Sequence, residues 1–415
     1  MTIGLDRPLN ICLLSYRSNP HCGGQGVYVK NLSRALKDIG HHVEVVAGPP
    51  DPMLDSDIPI HRLAGLDLYN PKNLFRVPTV KELSDPVNLL EWLDVSTMGF
   101  PEPFTFGIRA RRFLGSRMHR FDVIHDNQSL SYGIRSIARI KPTVATIHHP
   151  ITVDRDIAVR AVRSFWKKLQ HLRWFSFIGM QKRVSRTLRR IITVSECARE
   201  DIVREFRISR ERFSVVPNGI NTNLFYPIAE IRREPGRIIV TNSSDVPLKG
   251  LYYLLRAIAV IAPQRTLRLV VVGTPNKNGG ISRLIRRLGI GDRVTFTGRI
   301  SNEEFVHQYA RAAMAVVSSV YEGFGLPAGE AMACGVPVIS TTGGALPEVV
   351  GDAGILVPPR NHEALAQAIV HLLDHSEQAH ELGRRGYQRV LRNYTWHRAA
   401  EKTVEAYRHV IHDYR

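Results

Sequence analysis

The stretch Val316-Val-Ser-Ser-Val-Tyr-Glu-Gly-Phe-Gly-Leu-Pro-Ala-Gly-Glu-Ala-Met-Ala-Cys-Gly-Val-Pro-Val-Ile-Ser340 confines the chain to a narrow set of folds. It opens on a short apolar run, the mark of a buried strand. A glycine-rich turn follows, Glu322-Gly-Phe-Gly325. Pro327 then stands in the first turn of a helix, where its missing N–H costs nothing, and Gly335 suits the left-handed position past the helix end. Residues 336–340 form a second apolar strand. This β-turn-α-β unit sets the carboxylate of Glu322 beside free N–H groups at a helix start, which suits an anion and a hydroxyl-rich group held together. Glu330 lies eight residues on, so the two carboxylates can touch different parts of one long ligand. Two plainer readings compete. A glutamate in a strand-to-helix loop is commonly just solvated. Gly323-x-Gly325-x-x-Ala328, with Glu348 downstream, also fits a loose dinucleotide fingerprint.

The N-terminal part repeats the plan. Leu9-Asn-Ile-Cys-Leu-Leu-Ser15 reads as a strand, Cys22-Gly-Gly-Gln-Gly26 as a glycine-rich crossing, and Val27, Val29, Leu32, Leu36 and Ile39 as one helix face, with the next strand at 42–47. That is the opening of a doubly wound sheet. Val29 occupies the third glycine place, so the dinucleotide fingerprint does not fit here. Gly23 and Gly24 either make a tight turn or let the backbone approach a diphosphate or sugar closely. Residues 48–120 read as loops and short helices, one at 88–93, with five arginines at 109–120 on an exposed helix. Strands recur at 121–126 and 142–148. His148 closes the second of these, at the sheet edge where open α/β folds bind ligands, although a lone histidine there is often structural. After a strand at 191–195 and a helix at 196–206, Pro217-Asn-Gly219 marks a domain crossing. Strand–helix alternation resumes at 236, including a helix at 302–311 capped by Ser301 with Glu304 three residues on. The predicted division is 1–216, a linker at 217–234, a second domain at 235–392 and a final helix at 393–415 that crosses back to the first domain.

Composition bounds the function class. The chain has 415 residues, 44% hydrophobic and 23% charged, as in a water-soluble globular protein. No apolar run reaches the roughly 18 residues that a spanning helix needs, and the N-terminus lacks a secretory plan. Cys12, Cys22, Cys197 and Cys334 show no disulfide or zinc spacing, and no Asp-x-Asp stands at a strand end, so neither a metal nor a resident cofactor is expected. A cytoplasmic location is the default, with a peripheral place on the inner membrane face as an option. The charge is unusual: 56 Lys and Arg against 38 Asp and Glu, a net +18. Ten of those charges fall at 155–190, where eleven bases meet one acid, Asp156. Phe165, Trp166, Trp174, Phe175 and Phe177 are interleaved there, a pattern that suits an interfacial helix on anionic lipid or aromatics packed in a core. No nucleic-acid-binding motif accompanies it.

Glu-x7-Glu around Gly-Phe-Gly-Leu-Pro, followed by Glu-Ala-Met-Ala-Cys-Gly-Val-Pro-Val, resembles the donor-site signature of glycosyltransferase family 4. The resemblance covers nearly the whole chain and is weakest at 48–120. It implies a GT-B α/β fold, two Rossmann-like domains facing across a cleft, and retaining, metal-independent transfer of a hexose from a nucleotide sugar, UDP- or GDP-linked, to an acceptor hydroxyl; the basic aromatic stretch at 155–190 points to a lipid or cell-envelope glycan precursor as one option for that acceptor. By resemblance, Glu330 takes the ribose hydroxyls, and Glu322 with the backbone of Phe324, Gly325 and Leu326 takes the transferred sugar. Lys249 matches the family's Lys-Gly phosphate position, His148 matches the strand-end histidine that faces the sugar, and Gly23 and Gly24 match its Gly-Gly. Ser243 stands six residues before Lys249, where family members carry Arg, so Arg299 or a base of the first domain becomes the candidate replacement. A nicotinamide oxidoreductase on paired Rossmann domains and a non-catalytic nucleotide-sugar-binding protein are the rival readings.

Overall fold

The computed structural model describes residues 7–19, 24–70, 73, 76–241, 246–276 and 278–414. Gly23 and Ser243 lie outside the described residues. The chain divides into two compact units: Met1–Val194 with Ala198–Pro217 and Trp396–Arg415, and Ser195–Cys197 with Asn218–Thr395.

The first unit is built on strands β1 (Asn10–Ser15), β2 (His42–Ala47), β3 (Ile60–Arg62), β4 (Val123–Asn127), β5 (Thr143–Ile147), β6 (Arg190–Thr193) and β7 (Phe213–Val215). They form one parallel sheet in the order β3-β2-β1-β4-β5-β6-β7. Its central strands are buried on both faces because helices cover both, with the polar residues of β4 gathered at its carboxyl end. The helices are α1 (Gly24–Asp38), α2 (Val80–Leu83), α3 (Pro86–Ser96), α4 (Glu102–Leu114), α5 (Tyr132–Ala138), α6 (Thr152–Ala161), α7 (Phe165–Trp174), α8 (Ile178–Ser185) and α9 (Glu196–Phe206). The strand order reverses between β1 and β4, which opens a crevice at their carboxyl ends.

The second unit carries β8 (Glu234–Thr241), β9 (Arg268–Val272), β10 (Val294–Phe296), β11 (Ala312–Val317), β12 (Val338–Thr341) and β13 (Gly354–Val357), parallel in the order β10-β9-β8-β11-β12-β13. Its helices are α10 (Leu251–Ile261), α11 (Gly280–Leu288), α12 (Asn302–Arg311), α13 (Leu326–Ala333), α14 (Leu346–Val350), α15 (His362–Asp374) and α16 (Ser376–Asn393). Ser301 caps α12, its hydroxyl accepting from the Glu304 N–H at 3.1 Å. The reversal here falls between β8 and β11. The last helix, α17 (Trp396–Tyr414), belongs to the first unit. Trp396, Ala400, Val404 and Tyr407 join Tyr28, Leu32 and Leu36 of α1 in one buried cluster.

Three sequence expectations need correction. Residues 48–120 contain a strand, β3, that pairs with β2. It escaped notice because Ile60-His-Arg62 has no apolar run. The arginine-rich 109–120 stretch is not one exposed helix. Helix α4 starts earlier and stops at Leu114, with Ala110 and Leu114 fully buried. Arg109 turns inward to an ion pair with Glu91 and donates to Asn88 at 2.6 Å. The aromatics of 155–190 do not share one environment. Trp174 stacks on Phe100 at 4.9 Å and Phe177 lies 5.3 Å from the same ring, whereas Phe165 and Trp166 are each 71% exposed.

Candidate active site

In the second unit, two loops flank the point where the strand order reverses. One follows β8 and carries Lys249; the other follows β11 and carries Glu322. Gly250 adopts φ +66°, and a side chain there would collide with the Ser318 carbonyl, so only glycine lets the loops close. The Val320 N–H donates to the Leu248 carbonyl at 2.7 Å and the Ser318 hydroxyl to the Lys249 carbonyl at 3.1 Å. The closure brings the Lys249 Nζ within 2.7 Å of Glu322 Oε1, which also accepts from the Ser319 hydroxyl at 2.7 Å. Both side chains remain partly open to solvent. The Ala345 N–H donates to the Glu322 carbonyl at 2.9 Å and holds the turn.

Past that turn, Gly325 at φ +103° caps α13 and Leu326 is its first residue. Phe324 is buried, 5.6 Å from the Tyr394 ring. The first N–H groups of α13 have no intrahelical acceptor and carry the positive end of the helix dipole. Glu330 follows on the same helix. Burial pushes its carboxyl up to about 7, against the opposing pull of the Lys249 charge. Among the described residues no hydrogen-bond partner holds that carboxyl. The group is therefore an acidic acceptor poised near neutrality.

In the first unit, His148 directly follows β5. Its N–H donates to Gln128 Oε1 at 2.8 Å, and its ring Nε2 meets Asn127 Oδ1 at 2.8 Å. The Asn127 amide nitrogen donates to the Gln25 carbonyl at 3.3 Å. A carbonyl can only accept, so the amide is oriented with Oδ1 toward His148, and Nε2 of His148 carries the proton. The lone pair is then on Nδ1. Burial, with His149 and His125 beside it, lowers this imidazole to about 3, so the ring is neutral at physiological pH. Tyr28 packs edge-on against it at 4.7 Å. Its hydroxyl lies 3.0 Å from Thr146 Oγ1, which meets His125 Nε2 at 2.7 Å, while His125 Nδ1 meets the Tyr407 hydroxyl at 2.6 Å.

The family model for glycosyl transferases group 1 matches residues 228–389, and the model for glycosyltransferase family 4 matches 22–224. The chain is 44% identical to MMP alpha-(1->4)-mannosyltransferase of Mycolicibacterium hassiacum over 97% of its own length and 98% of that protein's. The chain belongs to glycosyltransferase family 4. D-inositol 3-phosphate glycosyltransferase of Mycolicibacterium smegmatis is 28% identical over 99% of this glycosyltransferase and 93% of its own length. Among solved structures, sucrose-phosphate synthase from Thermosynechococcus elongatus superposes with a TM-score of 0.76 at 26% identity, covering 98% of this chain and 100% of the other. HepE from Anabaena, solved with UDP and glucose, reaches 0.68 at 17% identity over 96% and 98% of the two chains. The glycosyltransferase thus has the GT-B α/β fold, and the oxidoreductase reading of its glycine turn falls away.

Of the residues singled out from the glycosyltransferase sequence, the structure brings Lys249 and Glu322 into direct contact, with Phe324, Gly325, Leu326 and Glu330 continuing from them along the turn and α13. Arg299 is exposed in the loop after β10, and no contact joins it to that cluster among the described residues. Gly24 opens α1, and a side chain there would meet nothing within 4 Å. Sequence reasoning missed Ser319, Asn127, Gln128 and Tyr28. Asn127 closes β4, so the strand-end rule that found His148 could have found it as well. Tyr28 looks like any buried residue of an amphipathic helix. The first unit also holds a groove of roughly 640 Å³ between the α3–α4 connection and α7, lined by Tyr69, Met98, Gln170, His171, Trp174 and Phe175.

Proposed function

We propose that the protein is a retaining, metal-independent mannosyltransferase that moves mannose from a nucleoside diphosphate sugar to a hydroxyl of a glycan acceptor. The observation that carries this reading is the Lys249–Glu322 pair at the start of α13, with Glu330 behind it, in a chain 44% identical along its length to an α-mannosyltransferase.

In this reading Glu330 accepts the ribose hydroxyls. Glu322, oriented by Ser319 and Lys249, accepts hydroxyls of the mannose together with the backbone around Gly325. His148 offers its Nδ1 lone pair to a further sugar hydroxyl, and Asn127 holds that tautomer. The C1–O bond to the diphosphate breaks while the acceptor oxygen bonds C1 on the same face. The acceptor proton passes to the departing phosphate oxygen. The ammonium of Lys249 and the N–H groups heading α13 take the charge that develops there, a task that fixed dipoles and charges perform without reorganisation. Gly23, Gly24, Ser243 and Arg299 stay as further candidate donor contacts, with Arg299 as the exposed cation for the diphosphate. The groove beside Trp174 and Tyr69 suits the body of the acceptor, because sugar rings stack on aromatic faces.

The test is an assay of GDP-mannose, UDP-glucose and other nucleotide sugars for slow hydrolysis and for transfer to mannoside acceptors, with the product anomer read by NMR. Mannosyl transfer with retention, unchanged by EDTA, is expected. Lys249→Ala and Glu322→Gln should each lower it by on the order of 10²- to 10³-fold. An inverted product, or wild-type rates in both variants, would refute the assignment.

A further inference from the structure

Helix α7 is amphipathic in the wrong sense for a helix that only covers a core. Phe165, Trp166, Leu169 and Leu172 fall within an arc of about 120° at about 100° per residue, and they are 71%, 71%, 47% and 49% exposed. The opposite side carries Trp174, which stacks on Phe100 at 4.9 Å and meets Tyr69 edge-on at 5.2 Å. Arg173, whose guanidinium pairs with Asp94, ties the helix to α3. The helix is therefore anchored at its C-terminal end, through Trp174 and Arg173, and turns the apolar stripe of residues 165–172 to the outside. The stripe has company: Arg160, Arg163, Lys167 and Lys168 are all exposed, and none has an ion pair or hydrogen bond among the described residues. Four cations without acidic partners, Lys168 bordering the apolar stripe and the others just before it or on its flank, match a surface that offers anionic groups over a hydrocarbon layer. A soluble protein partner would need acidic groups ringing an apolar groove; a bilayer with anionic headgroups offers both along its whole plane.

We infer that the outward face of α7, with the bases at 160–168, docks on an anionic lipid bilayer. Trp166 and Phe165 enter the interface, their rings already in edge-to-face contact at 5.8 Å, while Lys168, which borders the stripe, meets the headgroups directly and Lys167, about 100° past Trp166 on the helix, reaches them with its long side chain from the flank. Since the opposite side of the same helix lines the aromatic groove, docking would set that groove close to the membrane plane. The inference is independent of which sugar is moved.

Flotation of the full-length protein with vesicles tests it directly. Vesicles of phosphatidylcholine with phosphatidylglycerol should carry roughly tenfold or more protein than phosphatidylcholine alone, and raised salt should release it. Phe165→Ser with Trp166→Ser, and separately Lys167→Glu with Lys168→Glu, should each abolish the difference while the melting temperature and donor hydrolysis stay at wild-type values. Equal binding to neutral vesicles, or no binding to either, overturns the inference. So does a concentration-dependent dimer that disappears in the Phe165–Trp166 double variant, since a second copy would then cover the stripe. Preferential binding to a single-stranded oligonucleotide would overturn it in the same way.

Discussion

Burial holds the Glu330 carboxyl at about 7 rather than its ordinary 4.5, and that raised value has two consequences of opposite sense. For folding, the native state keeps a proton that the unfolded chain gives up near 4.5. Stability therefore falls as pH rises from about 4.5 to about 7 and is flat above. For the proposed ribose contact, the ionised carboxylate is the better acceptor, so donor affinity should rise as pH rises through about 7. Glu330→Gln is expected to remove both dependences, leaving affinity weak and level with pH while stability loses its slope in that window. Calorimetric titration of a nucleoside diphosphate between pH 5.5 and 8.5, with thermal melts at the same values, checks both. An unchanged pH profile in the variant would dissociate Glu330 from the ligand. His148 adds no step of its own in that range, because its imidazole is already neutral. At this scale the sequence told residue types and their strand-end positions. It could not tell that Lys249 pairs with Glu322, because 73 residues separate them, nor that Asn127 sets the His148 tautomer.

Two glycines separate a structural role from a ligand-facing one at the scale of an element. Gly250 precedes α10 at φ +66° with the Ser318 carbonyl where a side chain would go. Gly250→Ala is expected to cost at least about 1–3 kcal/mol from the backbone alone and to displace Lys249, which melts and donor KM would register together. Gly24 opens α1 with open space around it. Gly24→Ala should leave stability within about 0.5 kcal/mol, so a rise in donor KM there would report close ligand approach. Matching melting temperatures for the two variants would contradict this account. Most elements were legible in advance because their apolar periods are local: α1, α12, β1 and β2 announce themselves within a few residues. Strand β3 did not, since three residues with His61 and Arg62 carry no period. The faces of α7 were also illegible. Trp166 and Trp174 have similar neighbours in sequence, and only Phe100 and Tyr69, far upstream, decide which one is covered.

The first unit depends on the last helix of the chain. Trp396, Val404, Tyr407, Val410 and Ile411 are buried in the first unit's core. At roughly 2 kcal/mol for each of these side chains, their loss removes about 10 kcal/mol, comparable to the entire stability of a typical domain. A chain ending at Thr395 is therefore expected to lose the first unit's fold while the second unit, complete without α17, keeps its own. Limited proteolysis should digest the N-terminal part of the truncated chain and spare a fragment near 218–395; equal resistance of both parts would refute the prediction. The sequence by itself determined the two doubly wound sheets, the glycine turns and the acidic and basic residues at their edges, because strand and helix periods and turn chemistry are properties of neighbouring residues. The tertiary structure alone decided which carboxyl is pushed toward neutrality, which nitrogen of His148 is bare and which aromatics face outward. Those properties depend on burial and on partners brought together from distant parts of the chain.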